Sequence, residues 1–155
     1  MDVDGAVHDR GTRAARTLPV LLTVLVALAG CQAAAAQTCV SWMSYPDDAA
    51  RARTAHVVVD ATVAGKVGER RMFGALATVW SVEVAAVLKG GVEPGERLAV
   101  ASTPRTCSGG PYPDGDPLAA TGQVRLYLRD TDFAVPDTEA GWALITPFDG
   151  VRPLG

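Results

Sequence analysis

Trp80-Ser81-Val82-Glu83-Val84-Ala85-Ala86-Val87-Leu88-Lys89 decides the fold class. Trp80, Val82, Val84, Ala86 and Leu88 fall on one side of an extended chain, and Ser81, Glu83, Ala85 and Lys89 on the other. A period of two with one apolar face is the pattern of a half-buried β-strand. Gly90-Gly91 ends the strand and Pro94-Gly95 turns the chain. Leu98, Val100 and Ser102 then alternate with Arg97, Ala99 and Ala101 in a further strand.

Upstream, His56-Val57-Val58-Val59-Asp60-Ala61-Thr62-Val63 places Val57, Val59, Ala61 and Val63 on one face. Residues 64–75 are polar, basic and glycine-bearing, which predicts a hairpin loop with Arg70 and Arg71 at an exposed tip. Downstream, residues 103–122 carry Gly109-Gly110, Pro111, Pro113, Gly115 and Pro117, a long irregular excursion around Cys107. A fourth strand runs from Gln123 to Arg129. Val124, Leu126 and Leu128 point inward; Arg125, Tyr127 and Arg129 point outward. Trp142-Ala143-Leu144-Ile145 is the fifth strand, and Val151 to Gly155 is a tail. A short helix precedes the first strand at residues 46–54. Pro46 suits its first position, the aspartates its N-terminal end and Arg51 and Arg53 its C-terminal end, with Ser44 as a cap. The expectation is an all-β fold, a small five-stranded OB-like Greek-key barrel with one short helix.

The whole chain has 155 residues, a net charge of −3 and three cysteines. That length suits one domain, and the acidic balance lacks the basic footprint of nucleic-acid binding. Twelve of the fourteen basic residues are arginine, a bias that fits a GC-rich genome.

Residues 1–30 read as an address. Arg10, Arg13 and Arg16 precede an uncharged apolar run from Leu18 to Ala29, about a dozen residues long, as in a secretory signal. A membrane span needs roughly 20 apolar residues, although the alanines at 33–36 extend the run toward an uncleaved anchor. Leu28-Ala29-Gly30-Cys31 resembles the bacterial lipobox, in which the cysteine is acylated and becomes the new N-terminus. The competing cut falls near Ala34-Ala35-Ala36, where small residues suit ordinary signal peptidase. The lipobox reading makes Cys31 a lipidation site and residues 31–38 a tether. It places residues 39–155 outside the cytoplasm, anchored to the cell membrane; the alternative is a secreted protein. Residue 32 is Gln, so the familiar inner-membrane retention signal is missing. Removing residues 1–30 leaves the net charge unchanged, because Asp2, Asp4 and Asp9 balance the three arginines.

Cys39 and Cys107 remain. Paired thiols outside the cytoplasm tend to oxidise. A bridge between them closes a loop of about 70 residues, worth on the order of 3–4 kcal/mol in the chain-entropy model. A reactive Cys107 assisted by His56 would need a reduced thiol in an oxidising compartment.

The order of features resembles the netrin-module group, the OB-type barrels that include tissue inhibitors of metalloproteinases and bacterial relatives. The resemblance rests on Cys39 before a short helix, the strands "HVVVDATV" and "VWSVEVAAVLKG", Lys89-Gly90, Cys107 in a glycine-rich loop, and "GQVRLYLRD". It covers residues 39–153. In the inhibitors, the free α-amine and carbonyl of an N-terminal cysteine chelate the protease zinc. Only Cys39 corresponds, and it is preceded by other residues under either cleavage. Ser41 stands where the inhibitors' second cysteine is expected. The resemblance therefore implies the fold more than the inhibition.

No catalytic, metal or cofactor site is expected. Asp114, Asp116, Asp130 and Asp132 lack the EF-hand spacing and suit turns. His56 and Asp60 are not expected to form an acid–base pair. Trp42, Tyr45 and Tyr112 suit either a contact surface or cover for the cysteine pair. Arg125 and Arg129 suit cross-strand pairing, with Glu83 as a candidate partner. The expectation is a non-catalytic interaction module of the cell envelope with an unidentified protein or envelope partner. A soluble protease-inhibitor-like protein and a small envelope hydrolase using loop carboxylates are the alternatives.

Overall fold

The computed structural model describes residues 39–107, 109–119, 122–131 and 141–155. The signal segment, Cys31, the tether and Asp132 lie outside the described residues. Helix α1 spans Asp48–Thr54. Six strands follow among the described residues: β1 (Val57–Met72), β2 (Ala75–Lys89), β3 (Arg97–Ala101), β4 (Gln123–Asp130), β5 (Trp142–Leu144) and β6 (Val151–Pro153).

The fold is all-β with one short helix. β1 pairs with β2, β2 with β3, β3 with β5, β5 with β4, and β4 returns to β1. This partly closed ring of five strands has the OB-like architecture expected. Among the described residues only the β3–β5 contact is parallel, and it is narrow: Val100 faces Trp142 and Ala101 faces Ala143. The tail supplies β6, which lies beside β4 through Val124↔Pro153, Arg125↔Arg152 and Leu126↔Val151. Three residues are too few for a periodic signal.

The barrel core is aliphatic: Val57, Val59, Ala61, Val82, Val84, Leu98, Val100, Val124, Leu126, Leu128 and Leu144 with Leu118. In β1 to β4 these are inward residues that alternation selects; Leu144 of β5 and Leu118 of the loop join them. Alternation misleads at the end of β2. Asp60 faces Ala86 but Ala61 faces Val84, and Val58 faces Lys89 but Val59 faces Val87. Ala85 and Leu88 are thus extra residues, two β-bulges that change which side chains face inward. Val87 packs on the core, whereas Leu88 is 48% exposed.

β1 also continues through the segment expected to be a loop. Ala64 and Val67 are extra residues in its pairing with β2. The strand reaches Met72, and the hairpin turns at Phe73-Gly74. Both have positive φ, 50° and 82°, as a two-residue type I′ turn requires. Arg70 is therefore a buried strand residue rather than an exposed tip. The far end of the hairpin curls over the outside of β3 and β5, where Met72, Ala77 and Val79 meet Ala101 and Ala143.

α1 covers another outer patch. Ala55, Val58, Tyr127 and Ile145 form a small cluster with Tyr45 and Ala52. Outward-pointing Tyr127 is consequently 1% exposed. Asp47 is the N-cap; its carboxylate accepts from the Ala50 amide at 2.7 Å. Asp47 lies closer to the first turn than Ser44 and meets the orphan amide there. At the other end Lys89 Nζ donates to the carbonyls of Ala52 (2.8 Å) and Ala55 (2.6 Å), satisfying and neutralising the helix C-terminus. Gly90 follows with φ 105°, and a Cβ there would stand 2.6 Å from Val57 Cγ2. The Lys89-Gly90 pair thus fixes where β2 meets α1 and β1.

Candidate functional site

Three segments converge at one end of the barrel: the strap 39–46, the long loop 102–118 and the turn 146–150. The loop is irregular but pegged. Asp116 accepts from Ser102 Oγ (2.5 Å), Trp80 Nε1 (3.0 Å) and the Leu118 amide (2.9 Å). Tyr112 donates to the Ser102 carbonyl (2.7 Å) and accepts from the Thr78 amide (2.9 Å). Burial pushes the Tyr112 hydroxyl up to about 12, so it is a fixed hydrogen-bonding peg at neutral pH. Leu118 then enters the barrel core.

The turn is built by Thr146, whose Oγ1 accepts from the amides of Phe148 (3.3 Å) and Asp149 (3.0 Å). This local side-chain bond holds Phe148 out, 50% exposed. The Arg105 guanidinium lies 4.3 Å above its ring centroid and bonds Asp114 at 2.8 Å. Arg105 and Phe148 separate two adjoining clefts. One, about 370 Å³, is walled by Tyr112, Asp114 and Pro147. The other, about 290 Å³, is lined by Val40, Trp42, Arg105, Thr106, Cys107 and Phe148.

The strap borders the second cleft. The Val40 amide donates to Thr106 Oγ1 at 2.7 Å. Cys39 and Cys107 are exposed free thiols. The Val40–Thr106 bond puts them on neighbouring segments, short of disulfide distance, and the nearness of Cys107, then desolvation, holds the Cys39 thiol above its usual range. Trp42 packs edge-on against Phe73, with centroids 5.3 Å apart and planes at 79°.

At its other end the strap joins an ion-pair network. The Tyr45 amide donates to Asp149 Oδ2 (3.1 Å). Arg51 reaches Asp149 Oδ1 through Nη2 (2.8 Å) and Nε (3.2 Å), Asp48 through Nη1 (2.5 Å) and the Tyr45 carbonyl (3.3 Å). Arg51 is 3% exposed. Burial pushes the Asp149 carboxyl up, but Arg51 and the Tyr45 amide outweigh this and hold it below the usual carboxylate range.

Two of the charged or titratable residues singled out from the sequence, Arg125 and His56, are brought to structural partners. Arg125 is bidentate to Asp60, at 2.7 and 3.0 Å across β1 and β4. Its partner is therefore Asp60 rather than Glu83, because β4 borders β1 and not β2. Arg129 lies 5.4 Å from the Phe73 ring centroid, and its Nε is buried without a hydrogen-bond partner. His56 Nδ1 accepts from the Asp130 amide (3.2 Å), away from Asp60. Phe148 and Asp149, two principal residues of this end, carry no local sequence signal. A lone aromatic after proline and an aspartate 98 positions from its arginine belong to no periodic pattern.

Comparison of the chain with protein-family models, with curated proteins and with solved structures finds no match.

Proposed function

We propose that the protein is an exported, lipid-tethered, non-catalytic binding module of the bacterial cell envelope. Its contact face is the end of the barrel carrying Arg105 and Phe148. The observation that carries this reading is the presentation of Phe148. A dedicated turn holds a large aromatic ring half in solvent, with an arginine stacked on it, between two clefts. Aromatic and arginine side chains are the residue types that dominate protein-binding hot spots. The cleft walls are pegged by Tyr112 and Asp116, a rigid setting suited to recognition. The same polar groups are committed to structural hydrogen bonds, which favours binding over catalysis.

The tether reading draws on Leu28-Ala29-Gly30-Cys31 at the end of the apolar run. A lipid on Cys31 would tether the barrel through residues 32–38. The netrin-like resemblance supports the same class of extracytoplasmic barrel, without the zinc-chelating mechanism of the inhibitors. Two measurements test the proposal. Labelling with a palmitate analogue should tag the wild type and be abolished by Cys31→Ser; persistent labelling of that variant contradicts the tether. A photo-crosslinking amino acid at position 148 should give a discrete envelope adduct, and the same probe at exposed position 88 should not. Equal adducts from both positions, or none from 148, contradict the contact face.

A further inference from the structure

The cleft beside Cys107 has one wall that the barrel holds only lightly. From Tyr45 onward the strap is fixed by Asp149 and Arg51, and Trp42 rests on Phe73. Ahead of Trp42, the attachments of the described strap are the Val40–Thr106 hydrogen bond and the neighbouring thiols of Cys39 and Cys107. We propose that Cys39 and Cys107 form a reversible dithiol–disulfide clamp that fixes or frees the Val40 wall of this cleft. The clamp would make binding at the Phe148 face responsive to the redox state of the envelope. It rests on the reading of that face as the contact surface.

Three features point to a clamp rather than a permanent staple. The Val40–Thr106 hydrogen bond joins the residue after Cys39 to the residue before Cys107, so the thiols are close enough that a shift of residues 39–41 would bring them to bonding distance. Both are exposed, so an oxidant or reductant can reach them, and exposed disulfides are the labile ones. The barrel does not depend on the bond: its ring closes through strand pairing, and the long loop is pegged independently by Tyr112 and Asp116. Opening the bond therefore acts on residues 39–41 and leaves the rest in place.

The chemistry is thiol–disulfide exchange with a disulfide-bearing redox carrier. One cysteine thiolate attacks a carrier sulfur and breaks the carrier S–S bond, releasing one carrier thiolate. The second cysteine thiolate attacks the protein sulfur of this mixed disulfide and releases the other carrier thiolate. The protein loses two protons and two electrons, and the electrons reside on the two carrier sulfurs. A reduced dithiol carrier reverses the sequence.

The test uses the full protein purified from membranes and equilibrated in glutathione buffers of stepped ratio. Free thiols are alkylated and counted by mass, and backbone hydrogen exchange is followed at Val40 and Tyr45. Cys39 and Cys107 should convert together within the glutathione series. Exchange at Val40 should slow about tenfold on oxidation, while Tyr45 stays constant. Cys39→Ser and Cys107→Ser should each hold Val40 at the fast rate in every buffer. Two alkylated thiols at every ratio, a bridge that never opens, or a bridge that leaves Val40 unchanged would overturn the clamp. None of these readouts involves a partner, so failure of the crosslink from position 148 and failure of the clamp are distinguishable.

Discussion

The two ends of the strap are held by different chemistry. At Tyr45 an amide, a carbonyl and a ring are all engaged: by Asp149, by Arg51, and by the cluster of Ala55, Val58, Tyr127 and Ile145. At Cys39 there is one neighbouring amide hydrogen bond, to Thr106, and a pair of exposed thiols. The Tyr45 end is part of the folded body, since its charge network is buried and matched. The Cys39 end borders the cleft with Phe148. Buried, matched contacts are concentrated at the first end, and the proposed contact face and clamp lie at the second.

The largest effect is expected from breaking the first end. Asp149→Ala leaves Arg51 buried without its main partner, and losing one member of a buried pair costs about 3–5 kcal/mol. Urea unfolding should show that loss; a change below about 1 kcal/mol would make the two ends energetically alike.

The pH dependence follows from the same pair. Asp149 is held below its usual range in the folded state. Its contribution is therefore complete above the unfolded carboxylate value of about 3.9. It is lost as pH falls through the lower folded value. Asp149→Asn should flatten that acid limb of the unfolding profile, and an unchanged limb would contradict the assignment.

At the other end, Thr106→Val removes the acceptor of the Val40 amide. The expected cost is about 1 kcal/mol, with faster exchange at Val40 and none of the change reaching Tyr45. The smallest effect on folding belongs to Phe148→Ala. The ring is half in solvent, and losing an exposed arginine stack costs about 0.5–1 kcal/mol. The same substitution should remove partner binding. A large stability loss would place Phe148 in the core, and retained binding would remove it from the contact face.

The difference between the ends also explains what could be read from sequence. Alternation is a property of the backbone, so the inward valines and leucines of β1 to β4 were legible without coordinates. Bulges break that register, which is why strict alternation puts Ala86 and Leu88 inward and passes over Val87. The far half of β1 carries Gly65, Gly68 and four charges among residues 65–71, a composition shared with loops. Its strand state comes from pairing with β2 and from cover over β3 and β5. The expected Cys39–Cys107 bridge is not formed in the structure, where both cysteines are free thiols on segments joined by the Val40–Thr106 bond. The Arg51–Asp149 pair and the Arg105–Phe148 stack were not legible, because each joins residues far apart in the chain and of types that usually sit in solvent.

The measurement that bears most directly on the central claim is the mass of the mature N-terminal peptide from purified membranes. The account predicts a chain that begins at acylated Cys31, with residues 32–38 leading to the Cys39 end of the strap. A mature chain beginning near Gln37, or one that retains residues 1–30, would contradict the lipid tether.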